Sequence, residues 1–335
     1  MPHPVSADRA RGSLIAMGIG ESLGFLIEGQ SARQCAEFAT HALAQTDPPW
    51  LERGDYSFGQ YATDTQLARE LARSLIACHG FTPVDYSLRI SALFQSGYCL
   101  APENATWRAA ERLATGMVWA QVGEPAPAAG NGAVARAAPI GLSFKTARFR
   151  SGAAKMQAEI THHDPRAQAA AVVFAEAVFL AATLQELRPR QFLNVLADIA
   201  EPLDPRLASS TRTLDRALGV PLADAVPFVA RAGFAADDGY PAASEITGFA
   251  TSSLLWALQS FLRAPDDPEA VLAMALSGGG TDTGSLGAMG GALVGARVGF
   301  TGLGPRLQVW SEQLNDHGTD GRDVLAALAR DIVNR

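Results

Sequence analysis

The sequence predicts an all-α protein, and three observations carry that expectation. Alanine and glycine are abundant, with 32 glycines in 335 residues, while Phe, Trp and Tyr supply only 7% of the chain. Small side chains suit helices packed closely at their backbones, whereas sheets draw on β-branched and aromatic residues. Apolar residues recur at helical spacing in one segment after another, and no segment alternates long enough to demand a sheet. With 48% apolar residues and no break that has the composition of a linker, one domain over residues 1–335 is expected.

Helical periodicity places the elements at 10–28, 64–79, 83–95, 104–118, 166–187, 189–200, 209–217, 222–232, 242–262, 268–276, 282–295, 304–314 and 322–334. Punctuation supports several starts. Asp164-Pro165 and Asp267-Pro268 each put a capping carboxylate before a proline in the first helical position. The stretches Asp47-Pro48-Pro49, 123–132 and 263–267 read as loops between helices. The apolar run 167–184 has the length of a membrane span, but Glu176 interrupts it and charges flank it, so a buried core helix is expected.

Composition also narrows the function. A net charge of -7 with scattered Lys and Arg argues against a nucleic-acid partner, because such binding needs clustered cations. Cys35, Cys78 and Cys99 are an odd number at wide spacings, which suggests neither a disulfide framework nor a zinc site. The short polar N-terminus is unlike a secretory signal, so a cytoplasmic protein without a membrane partner is the expectation. Walker loops and CxxC pairs are absent from the sequence.

Two short phrases rhyme: Thr63-Asp64-Thr65 and Thr281-Asp282-Thr283. Each sits at the start of a helical run, where backbone N–H groups favour a carboxylate, and such a carboxylate can equally face a metal. Helix capping is the simpler account of either copy taken alone. The second follows Ser277-Gly278-Gly279-Gly280, which lets the backbone approach a ligand or another helix; the glycines after Ser285 are sufficiently explained by helix packing. Gly130-Asn131-Gly132 is a flexible turn leading into a small-residue stretch whose N–H groups suit a phosphate, or simply a turn. Thr161-His162-His163-Asp164-Pro165 puts two imidazoles before a long helix, pointing in different directions and so not sharing a metal. The Gly20-Glu21-Ser22-Leu23-Gly24 match to GxSxG lies inside a helical pattern, without the strand-to-helix turn that exposes a nucleophilic serine.

Taken in order, these phrases resemble the ADP-ribosylglycohydrolase family, whose members include enzymes that remove ADP-ribose from arginine and serine. The resemblance runs from Gly12–Gly24 and Glu28 through 59–66, 130–142, 161–167, Gly239-Tyr240, the region of Trp256 and 277–299 to 304–310. It implies a compact orthogonal helical bundle. It also implies a hydrolase in which two magnesium or manganese ions are held by a Thr-Asp-Asp phrase and an Asp-x-Asp-Thr phrase, with a Glu nearby. Hard oxygen ligands suit such ions. The bond at the anomeric carbon would then break through an oxocarbenium-like state.

Carried over residue by residue, Glu28, Asp64 and Asp282 take the catalytic positions, Asp64, Asp282 and Thr283 the metal positions, and Gly130, Asn131, Gly132 and His162 lie against the sugar-phosphate. Ala62, Thr63 and Gly280 depart from the pattern and remove two carboxylates, which under-neutralises two divalent ions. Three outcomes follow: one ion persists; Glu21 or Asp55 completes the site from a new direction; or catalysis is lost and the protein binds an ADP-ribose-like ligand or a protein partner. The leading expectation is cleavage of an ADP-ribosyl or related ribosyl bond, with an ADP-ribosylated protein or a small ribosyl compound as substrate.

Overall fold

The computed structural model describes residues 4–234 and 245–334. The helices are α1 (Ala7–Leu26), α2 (Ala32–Ala44), α3 (Thr63–Ala77), α4 (Pro83–Gln95), α5 (Asn104–Ala114), α6 (Gly132–Ala135), α7 (Ala138–Ser143), α8 (Ala147–Glu159) and α9 (Pro165–Thr183). They continue with α10 (Pro189–Ala200), α11 (Pro205–Thr213), α12 (Asp215–Leu218), α13 (Leu222–Ala230), α14 (Ala250–Arg263), α15 (Pro268–Leu276), α16 (Thr283–Val298), α17 (Gly304–Trp310) and α18 (Arg322–Val333). The all-α expectation holds. One element escaped it: a two-stranded antiparallel hairpin, β1 (Glu52–Arg53) with β2 (Tyr56–Ser57). Of the expected helix at 242–262, residues 242–244 lie outside the described residues, as does Gly239-Tyr240.

Local chemistry accounts for the boundaries. Asp164 accepts from Arg166 N at 2.9 Å and Asp267 from Ala270 N at 3.0 Å, so both carboxylate-proline pairs start helices. The run expected to reach residue 118 stops at Ala114, because Gly116 takes a φ of 87° that ends the helix. Helices α2 and α8 were not anticipated. The first has a capping box in which Ser31 and Gln34 cap each other; the second packs through small residues, Ala153, Ala154 and Ala158.

The centre of the molecule is the antiparallel pair α1 and α16. Gly12, Ala16, Gly20 and Gly24 lie four apart on α1 and meet Gly295, Gly291, Gly287 and Thr283, four apart on α16. A Cβ on Gly20 or Gly287 would run into the other's carbonyl, so glycine is required for the helices to approach this closely. The register brings the C-terminal half of α1 beside the N-terminus of α16. That junction is where the site forms.

Helix α9 is long and apolar enough to cross a membrane by length and composition, yet most of it is buried inside the protein. Glu176, which interrupts its apolar run, is buried against Arg150 of α8, with both carboxylate oxygens 2.7 Å from the guanidinium. The apolar core runs as one cluster from Ala10 to Ile332.

Candidate active site

A cavity of about 380 Å³ opens where α1, α3, α5, α6 and α16 converge. Helices α3, α5 and α16 present their N-termini to it, where the helix dipole stabilises negative charge. The side chains match that potential: Glu21, Glu28, Asp64, Glu103 and Asp282 all line the cavity, and among the described residues no basic side chain does.

Glu21 projects from α1 and ties α3 to it, accepting from Asp64 N at 2.8 Å and Thr65 N at 2.9 Å. It is the capping group that Ala62 cannot be. Burial pushes its carboxyl up to about 7 against these donors. Asp64 is buried and raised well above the ordinary range, first by burial and then by the neighbouring charge of Glu21. Asp282 is raised in the same way by burial, against hydrogen bonding from Asn131. Its two oxygens are held: Asn131 Nδ2, itself donating to Ser253 Oγ at 3.0 Å, reaches one, and Ser285 Oγ donates to the other at 3.2 Å. Glu28 stands at the edge with Arg53, whose guanidinium also donates to Phe25 O at 2.9 Å; burial raises this carboxyl too, against the pairing.

The residues expected from sequence are only partly brought together. Glu28, Asp64, Asp282, Asn131 and Gly132 line the cavity; Thr283, Gly130 and His162 do not. Thr283 turns inward and donates from Oγ1 to Gly24 O at 2.7 Å. The wall beyond Asp282 is made instead by Gly284 and Ser285, in the first turn of α16. His162 is fully buried behind Glu103. Of the two substitute carboxylates considered, Glu21 enters the cavity, and Asp55 sits exposed in the turn between β1 and β2. Ser22 of the GxSxG match is buried in mid-helix, accepting from Gly59 N at 2.6 Å, which excludes a nucleophile elbow.

Glu103 was missed. It precedes α5, accepts from Thr106 Oγ1 at 2.9 Å and lies 2.7 Å from His162 Nε2. The contact is close but is not an aligned hydrogen bond. Burial pushes the Glu103 carboxyl up, but His162, Thr106 and Arg136 together hold it below the ordinary value. Its presence explains Gly130 and Gly132, because a Cβ on either would collide with the Glu103 carboxylate. The available signal was an acid immediately before the helical run that starts at Asn104.

The divalent ions that the resemblance implies can be tested against these side chains. Thr63 Oγ1 is turned to Leu100 O, and Gly280 offers no carboxylate. Among the described residues, no group of three or more His, Cys, Asp or Glu converges to hold an ion. The residues present do not fit a tightly held metal pair.

The fold is thus an all-α bundle with a cavity lined by carboxylates at three helix N-termini. The family model for ADP-ribosylglycohydrolase matches residues 2–335, and the chain belongs to that family. It is 29% identical to ADP-ribosylhydrolase ARH3 of Gallus gallus over 327 residues, covering 87% of this chain and 85% of the relative. It is 27% identical to ADP-ribosylhydrolase ARH3 of Homo sapiens over 352 residues, covering 96% and 92%. A solved structure described as an ADP-ribosylglycohydrolase-related protein complex superposes with a TM-score of 0.69 at 25% identity, covering 98% of both chains.

Proposed function

We propose that the protein hydrolyses the bond between an ADP-ribosyl, or related ribosyl, group and its leaving group, with an ADP-ribosylated protein or a small ribosyl compound as substrate. The observation that carries this reading is the meeting of Asp64 and Asp282 in one cavity with Glu28 at its edge, although they lie far apart in sequence. Positive charge develops on the ring oxygen and anomeric carbon as the bond breaks, and carboxylates lining the cavity stabilise it in their ionised form. The electron pair of the broken bond leaves with the departing group. Water adds to the anomeric carbon, and its proton passes to a cavity carboxylate. Asp282 suits the electrostatic part, because Asn131 and Ser285 hold its orientation. The reading treats residues 1–335 as one domain, supported by a core cluster that spans the chain.

A second reading has its own support. Thr63 is turned to a backbone carbonyl, and Gly280 and Gly284 carry no side chain, which suits a non-catalytic protein that retains the ligand cavity.

The test is release of ADP-ribose from ADP-ribosylated arginine and serine peptides, in magnesium, in manganese and with chelator. The wild type is expected to release ADP-ribose, and Asp64→Ala and Asp282→Asn to lose at least a hundredfold in rate. ADP-ribose binding without release by the wild type would favour the second reading or a different riboside substrate.

A further inference from the structure

Glu28, Asp64 and Asp282 account for the chemistry proposed above and leave Glu103 without a role. Its surroundings are elaborate for an idle residue. Oε1 is held by Thr106 and approached by His162, and Oε2 lies against Gly130. Behind it, His162 Nδ1 lies 2.8 Å from Thr161 Oγ1, which accepts from Arg136 Nη2 at 2.6 Å. Arg136 is fixed in turn by Gln157, at 2.8 Å to Oε1 and 3.1 Å to the carbonyl.

Arg136, Thr161 and His162 are all fully buried. Burying such a chain costs desolvation, which its internal bonds offset only in part, because Arg136 Nη1 and His162 Nε2 make no hydrogen bond among the described residues. Here it ends on one carboxylate in the cavity wall. Gly130 and Gly132 give up their side chains to admit that carboxylate.

We propose that Glu103 is a specificity-determining ligand contact: its carboxylate accepts a hydrogen bond from a hydroxyl of the bound ribosyl group, and His162 is the residue that positions it. This rests on the ribosyl-ligand reading above. The acceptor selects a hydroxyl-bearing part of the ligand at this wall and repels an anionic one, so the diphosphate of an ADP-ribosyl ligand lies away from Glu103.

The experiment is calorimetric titration of the full chain with ADP-ribose and with nicotinamide riboside, which lacks the diphosphate. The isosteric Glu103→Gln is expected to weaken binding of at least one probe tenfold or more, with a melting temperature close to that of the wild type. His162→Ala weakens binding in the same direction, and His162→Gln, which keeps a donor at that reach, recovers most of the loss. If Glu103→Gln does not fold, Glu103→Asp, with its carboxylate drawn back by one methylene, is the comparison, and it too weakens binding. Probe affinity unchanged in the folded variant overturns the role of Glu103 and leaves the ribosyl reading intact. A folded wild type that binds neither probe overturns both.

Discussion

The Glu21 carboxylate and the backbone of Asp64 are joined across the cavity floor: an α1 side chain caps α3, accepting from Asp64 N at 2.8 Å and Thr65 N at 2.9 Å. Residues 43 positions apart thereby fix where the Asp64 carboxylate stands. The cap is an acid in a nearly dry place, and that has a consequence for stability.

Glu21 is held at about 7 in the folded protein, chiefly by burial, against an ordinary value of 4.5. Between those values the folded state keeps a proton that the unfolded chain has released, so stability falls as pH rises through that window. The contribution is fully present below pH 4.5 and is lost by about pH 7. At about 1.4 kcal/mol for each pH unit, it amounts to roughly 3 kcal/mol. Urea unfolding from pH 4.5 to 7.5 is expected to show a shallower decline in Glu21→Gln than in the wild type. Parallel profiles would show that Glu21 is not the titrating group.

The Arg150–Glu176 pair predicts a different pattern. Two 2.7 Å contacts join the side chains, and Arg150 also donates to Phe144 O at 2.7 Å and Lys145 O at 2.9 Å. Removing one partner strands a buried charge, so Arg150→Met and Glu176→Leu should each cost roughly 3–5 kcal/mol. The double variant restores an apolar contact beneath Phe179 and is expected to recover most of the loss. Denaturant midpoints of the four proteins check this, and additive losses would refute it.

These cases show which parts of the molecule could be read from the chain. Helices α9 and α15 were legible because capping acids and N1 prolines act locally. The four-residue glycine register on α16 was legible as packing, but its partner on α1 was not, since pairing is a property of the whole fold. Helix α2 offered the Ser31-x-x-Gln34 cap and went unread. At the site, the rhyme of two Thr-Asp-Thr phrases singled out Asp64 and Asp282, which the fold puts in one cavity. Glu103 belongs to no phrase. What makes it a cavity residue is a histidine 59 positions later and two glycines that make room.

The two glycines flanking Asp282 are not equivalent, and that separates two ways of adding a carboxylate to the site. Gly280 has a φ of 79°, and a Cβ there would lie 2.7 Å from Ile246 O, so Gly280→Asp is strained and expected to lose about 1–3 kcal/mol. Gly284 lies in the first turn of α16 on the cavity wall, and a Cβ there would meet nothing closer than 3.9 Å, namely Glu21 Cγ and Phe25 N. An aspartate at that position is spatially accommodated and favoured by the helix dipole. It would give the cavity that holds Asp64 and Asp282 a further oxygen donor for a hard cation. Gly284→Asp is therefore expected to melt below the wild type in chelator, because the new carboxylate crowds Glu21, Asp64 and Asp282, and to bind Mn²⁺ at least tenfold more tightly by calorimetry, while Gly280→Asp is destabilised without that gain. Equal Mn²⁺ affinity in Gly284→Asp and wild type would mean that the wall beside Asp282 is not where the missing carboxylate belongs.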